Sequence, residues 1–220
     1  MSTGRAPMLS DYQIARMVTA TYGYAGYPSV KWDWSDDGAG AIGVRWFVRQ
    51  VDGVAYVCFP GTETARDLLR DLNTLPEETE IGNVHPGFYE GMAETINTIL
   101  GHIGRTPVVV AGHSMGAARA TLFTALTVKH GVKPLRRVVF GEPLSCFAEG
   151  AGLARQVPAA SYRAVSRGEH DPICYLPPAI GFERATPLRN LTVAVTPQAI
   201  ADLGPILALH YMPDYAAALA

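Results

Sequence analysis

Ser114 stands between two glycines in Gly112-His113-Ser114-Met115-Gly116, a match to the pattern G-x-S-x-G. The apolar run Val108 to Ala111 precedes it, and the small-residue stretch from Met115 to His130 follows. A strand, a sharp turn and a helix in that order form a nucleophile elbow. Such a turn projects the Ser114 hydroxyl from the end of a strand. It also aims the Met115 peptide N–H, at the positive end of a helix, into the same space. The residues then carry two parts of acyl-transfer chemistry, a nucleophile and half of an oxyanion hole. Gly112 and Gly116 lack the Cβ atoms that would collide across so tight a bend.

A serine hydroxyl needs a base to take its proton, and the base needs a carboxylate to orient it. In elbow folds the chain order is serine, acid, histidine. The loop Ser166-Arg-Gly-Glu-His-Asp-Pro-Ile173 follows the predicted strand Tyr162 to Val165. Asp171 in that loop is the expected acid, held extended by Pro172, with Glu169 as the fallback. Two histidines after Ser114 sit in suitable loops, His170 and His210; His210 has the spacing a base requires. His130, at the end of the elbow helix, faces away.

These groups require a frame. Leu9 to Tyr22 reads as a helix with Ser10 or Asp11 as N-cap. Ile42 to Val51 and Val54 to Phe59 read as strands joined at Asp52-Gly53, a hairpin signal. A short helix is expected over Ala65 to Leu75, a polar acidic loop over Pro76 to Asn83, and a helix over Phe88 to Ile103. Pro107 to Ala111 and Leu135 to Phe140 are apolar on both faces, as buried parallel strands are. Further helices are expected over Phe147 to Val157 and over most of Pro197 to Ala220, the latter broken near Pro213. Leu191 to Val195 reads as an edge strand. Strands alternating with helices give an α/β class with a mostly parallel sheet, helices on both faces and antiparallel N-terminal strands.

The 220 residues are 48% hydrophobic and suit one domain spanning 1–220. Net charge is −2, with 18 basic residues dispersed among 20 acidic ones, so no basic stripe points to nucleic acid. No run approaches the ~18 apolar residues of a membrane span, and the N-terminus has no secretory core. A cytoplasmic location is the default expectation, with export by another route as the alternative. Cys58, Cys146 and Cys174 fall in apolar surroundings and form no CxxC, which favours buried thiols over a disulfide or a metal site. The run Gly38 to Gly43 matches G-x-G-x-x-G, but a turn-like Trp32-Asp-Trp-Ser-Asp-Asp37 precedes it and a strand follows. Dinucleotide binding needs the reverse surroundings, so that reading is rejected.

Further residues resemble the class 3 lipases, the fungal-type triacylglycerol lipase family. The resemblance runs from about Tyr56 to Tyr215. Phe59-Pro-Gly-Thr62 is similar to the family's F-R-G-T/S, Asp67-Leu-Leu-Arg-Asp71-Leu to D-W-x-x-D-L, and Val84-His-Pro-Gly-Phe88 to V-H-x-G-F. Phe140-Gly-Glu-Pro143 resembles F-G-x-P. Asp171-Pro-Ile173 with Leu176-Pro-Pro178 resembles D-P-V-x-x-L-P-P, and His210 with Tyr215 resembles H-x-x-x-x-Y. Pro60, Leu68 and His170 depart from the family's Arg, Trp and Asn.

The resemblance implies an α/β-hydrolase fold and a carboxylester hydrolase, a lipase or esterase with the triad Ser114, Asp171 and His210. It makes Thr62 the second oxyanion donor beside Met115, delivered by the strand ending at Phe59 and a sharp turn at Gly61. It implies substrate contacts from Leu68, Leu72, His85 and His113, with His85 structural or lining the site, and His113 and Glu142 as supports. No metal or cofactor is required. Residues 63–84 lie where relatives carry a lid. The stripe Leu68, Leu69, Leu72 and Leu75 would face a lipid interface in an open state. Permanent packing of that stripe on the core is the favoured alternative, because the segment is short and acidic. Rival functions are phospholipid, thioester or amide cleavage on the same machinery, and a binding protein on an inactive hydrolase scaffold.

Overall fold

A computed structural model of the chain describes residues 8–27, 29–38, 43–62, 75–178 and 180–220. The expected helix over Ala65 to Leu75, most of the Gly38–Gly43 turn, and the side chains of Leu68 and Leu72 lie outside the described residues.

Helix α1 (Asp11–Ala20) begins at Ser10. The Ser10 hydroxyl accepts the Gln13 N–H, and the Gln13 side chain accepts the Ser10 N–H, a reciprocal capping box. Strands β1 (Trp34–Asp36), β2 (Trp46–Val51) and β3 (Val54–Phe59) follow. The β2–β3 turn places Asp52 and Gly53 at φ 50° and 75°, the two left-handed positions of the expected hairpin. β1 corrects the sequence reading, which gave Trp32 to Asp37 as a turn. Trp34 stacks on His102 and Trp46 packs against it at a tilt, and this aromatic packing makes an edge strand of a segment too polar to read as one.

The acidic stretch read as a loop contains a two-stranded ribbon, β4 (Glu77–Thr79) and β5 (Gly82–Val84). Ile81 and Val84, both fully buried, anchor it. The helical segment predicted from Phe88 is two helices, α2 (Pro86–Tyr89) and α3 (Met92–Ile103). Gly91, at φ 74°, divides them. Next come β6 (Val108–His113), α4 (Met115–Lys129), β7 (Arg136–Phe140), α5 (Ala148–Arg155) and β8 (Ala159–Ser166). β9 (Glu169–His170), a short 3-10 turn at Pro172–Tyr175, and β10 (Leu188–Thr192) follow. The edge strand therefore lies three residues earlier than its apolar run suggested. The C-terminal region is α6 (Pro197–Leu203), a 3-10 turn at Ala208–His210 and α7 (Met212–Ala217). The break comes at Gly204 to Leu207 rather than at Pro213, which sits harmlessly in the first turn of α7, where its missing N–H costs nothing.

The main sheet runs β1-β2-β3-β6-β7-β8-β10, with β9 paired to β8. β1 to β3 are antiparallel; β3, β6, β7, β8 and β10 are parallel. Side-chain alternation gives the central strands two cores. Val57, Phe59 and Val110 face α3, α4 and α5. Tyr56, Cys58, Val109 and Ala111 face α1 and α7. In α4 every residue from Gly116 through Thr127 is buried, which is why that stretch is made of small and apolar residues with the single charged exception Arg119. The three cysteines are buried free thiols. Among the described residues, no helix is long and apolar enough to cross a membrane.

Candidate active site

β6 ends at His113 and α4 starts at Met115, so Ser114 alone makes the turn. Its φ is 59° and ψ −130°, a conformation that costs a non-glycine residue about 1–3 kcal/mol. Two glycines and the neighbouring backbone hold it there. A Cβ on Gly112 would lie 2.2 Å from the Gly116 carbonyl oxygen, and one on Gly116 would lie 2.0 Å from that of Phe59. These contacts are backbone against backbone and cannot relax by a rotamer change. The Met115 N–H is the first of α4 and has no partner within the helix.

Gly61 fulfils its expected place by a different physical route. Its φ lies outside the left-handed region; what excludes a side chain is crowding, since a Cβ there would be 2.7 Å from Ser114 Cβ and 2.7 Å from the Tyr22 hydroxyl. β3 thus delivers Gly61 and Thr62 directly against the elbow. Thr62 and Met115 line one cleft of about 830 Å³.

Asp171 is fully buried at the end of the β8–β9 hairpin. Its Oδ1 accepts the Ile173 N–H at 2.9 Å. Its Oδ2 lies 2.6 Å from His210 Nδ1 and also accepts the Tyr215 hydroxyl at 2.5 Å. The imidazole is 3% exposed. His210 Nε2 is buried and finds no hydrogen-bond partner among the described residues. Asp171 therefore fixes the proton on Nδ1 and leaves Nε2 to accept one. Gly141, at φ 56°, forms the floor under this pair: a Cβ there would lie 2.6 Å from His210 Cε1 and 2.8 Å from Asp171 Oδ2. Glu169 and His170, the alternatives considered for acid and base, are exposed on β9. His130 pairs with Glu80 at 3.0 Å.

The histidine beside Ser114 is a support. His113 stacks on His210 at 4.5 Å between ring centroids. Its Nε2 is 2.9 Å from the His210 carbonyl oxygen, which can only accept, so Nε2 carries the proton. Its Nδ1 then accepts the Tyr22 hydroxyl at 2.6 Å, and that oxygen accepts the Gly61 N–H at 2.7 Å. Burial pushes the His113 pKa well below 6.5, and the neighbouring His210 charge adds to the shift. The ring is neutral beside the imidazole it supports. Both of its ring nitrogens are engaged within the protein, which fits the supporting role expected for His113. His85 is buried and stacked on Phe88 at 4.3 Å. Glu142 is a support as expected: its buried carboxylate accepts Thr121 at 2.5 Å and Ser161 at 2.8 Å, tying β7, α4 and β8 together.

Three participants escaped sequence reasoning. Tyr22 lies before the elbow, and no spacing rule joins it to His113. Gly141 looked like an ordinary motif glycine. Arg119, four residues after Met115, is 7% exposed and lines the cleft with Thr62 and Met115. A second cleft of about 660 Å³, between α1, α7 and β2, contains none of these residues.

Residues 56–180 match the family model described as Lipase (class 3). Among solved structures, the chain is similar to the mono- and diacylglycerol lipase from Aspergillus oryzae, at 16% identity and a TM-score of 0.68, covering 96% of this chain and 100% of that one. It is similar to the triacylglyceride lipase of Rhizomucor miehei, at 20% identity and a TM-score of 0.65, covering 82% and 78%. It is also similar to a triacylglycerol lipase whose catalytic centre is a serine protease triad, at 20% identity and a TM-score of 0.65, covering 82% and 79%. A search of curated protein sequences finds no match. The structural likenesses establish the α/β-hydrolase fold, and the family match extends over more than half of the chain: the protein belongs to the class 3 lipases and is a serine-type carboxylic ester hydrolase.

Proposed function

We propose that Ser114, His210 and Asp171 are the catalytic triad of this hydrolase, and that the N–H groups of Thr62 and Met115 hold the oxyanion. The observation that carries the assignment is the buried His210–Asp171 pair at 2.6 Å with its outer nitrogen unpartnered. His210 Nε2 takes the Ser114 proton as the oxygen attacks the acyl carbonyl. The carbonyl oxygen becomes an oxyanion held by the two N–H donors, each of which lowers the barrier by about 2.7–4 kcal/mol in such sites. Collapse expels the alcohol, which takes the proton from His210 and leaves Ser114 acylated. Water, deprotonated by the same nitrogen, then releases the acid and restores the hydroxyl. Asp171 keeps its charge throughout and stabilises the imidazolium.

The substrate is an acyl ester. Ile180 and Ile206, 80–84% exposed, lie close in sequence to Asp171 and His210, which supports a face that meets lipid. The decisive experiment is Ser114→Ala with a fluorophosphonate probe and a soluble ester. The folded variant loses probe labelling and at least ~10³-fold of its turnover. Near-native turnover in that variant, or an unlabelled folded wild type, overturns the assignment.

A further inference from the structure

Arg119 has no hydrogen bond or ion pair among the described residues, although it is nine-tenths buried. Its Nε is fully enclosed and unpartnered. Buried guanidinium groups are almost always paired, because water is lost and must be replaced. Here Glu90 attracts Arg119 electrostatically without hydrogen-bonding it.

The position explains where a partner would sit. Arg119 is one helical turn beyond Met115 on α4, so the two share a face. Helical side chains lean toward the N-terminus, which carries the guanidinium back toward Met115 and the oxyanion position. Both residues line the same cleft as Thr62. We propose that Arg119 is a specificity-determining residue that receives an anionic group, a carboxylate or a phosphate, carried by the ester substrate within reach of the Thr62–Met115 oxyanion site. This rests on the triad assignment above.

Three carboxylates also line the cleft, Glu77, Glu90 and Glu94. All three are exposed, so solvent and salt screen them. Arg119 acts from a desolvated position, where a charge-assisted contact is worth several times more. Burial lowers its pKa to about 10, which keeps it cationic at neutral pH. The acids therefore tune approach, and the arginine decides what stays.

The test compares two matched ester pairs on wild type: mono-p-nitrophenyl glutarate against p-nitrophenyl valerate for an anion on the acyl side, and butyryl-glycerol 3-phosphate against monobutyrin for one on the alcohol side. In at least one pair kcat/KM for the anionic ester exceeds that of the neutral one by about 10- to 100-fold. Arg119→Leu, and Arg119→Met if the first does not fold, cut that ratio at least tenfold, mainly through KM; Arg119→Lys retains part of it. The pair that responds identifies which side of the ester carries the anion. Equal or reversed preference in both pairs on wild type overturns the proposal, as does an unchanged ratio in a folded Arg119 variant. Turnover of the neutral esters and fluorophosphonate labelling of wild type report separately on the triad, so either idea can fail alone.

Discussion

Tyr22 and His113 share a 2.6 Å hydrogen bond that joins the two halves of the proposed catalytic machinery. On one side, Tyr22 anchors Gly61, next to the proposed oxyanion donor Thr62; on the other, His113 carries His210 by a stacked ring and a backbone contact. Tyr22→Phe strands the Gly61 N–H and His113 Nδ1. It lowers stability by about 1–3 kcal/mol, read as a denaturant midpoint shift. It also reduces kcat by about tenfold, because oxyanion donor and base lose their common reference. Unchanged kcat with lowered stability would show that the bond serves folding alone.

Gly141→Ala separates catalysis from folding. A methyl at that position meets His210 and Asp171, and these side chains yield before the sheet does. The variant folds, with near-native circular dichroism, and loses about 10²-fold in kcat. Gly116→Ala meets the Phe59 and Pro60 backbone instead and yields insoluble or unfolded protein.

The depressed pKa of His113 sets a pH dependence of stability. The folded ring stays neutral below the unfolded value of 6.5, so between the two pKa values the unfolded chain binds the extra proton. Stability from this group is complete above about pH 6.5 and declines as pH falls, by up to about 1.4 kcal/mol per pH unit within that window. Denaturant midpoints taken from pH 7 to pH 5 show this slope. His113→Gln flattens it while lowering stability at pH 7. An equal slope in both proteins would place the titration elsewhere.

Tyr215→Phe tests how the acid is held. The tyrosine donates to Asp171 and accepts the Ala164 N–H at 2.9 Å. Removing the hydroxyl orphans that N–H in a buried strand, for about 1–3 kcal/mol of stability. Activity falls about five- to tenfold, far less than the ~10³–10⁴-fold expected of Asp171→Asn, which reverses the His210 tautomer. Melting curves and kcat for both variants give the comparison.

Much of the site was legible because elbow chemistry is local. Gly112, Ser114, Gly116 and Met115 lie within five residues, and their types report the turn they must make. Asp171 and His210 followed from order along the chain, and two of the parallel strands, β6 and β7, from apolar runs buried on both faces. The remainder depends on contacts between distant residues. Tyr22 and His113 are 91 residues apart, and nothing near either position announces the other. β1 forms because tryptophans find His102, and the β4–β5 ribbon forms because Ile81 and Val84 are buried, so a segment that looks polar is pinned by two residues. Gly61 was placed correctly for an incomplete reason, since local conformation is visible in sequence and crowding by a remote tyrosine is not.

Tyr22 leaves helix α1 near one end of the chain, while His210 and Tyr215 come from the last eleven residues. A chain folded only through Val195 would hold the elbow and Asp171 but lack the proposed base. Turnover by the proposed triad then requires that the segment carrying His210 and Tyr215 dock beside α1, so enzyme activity reports that these two remote stretches have met.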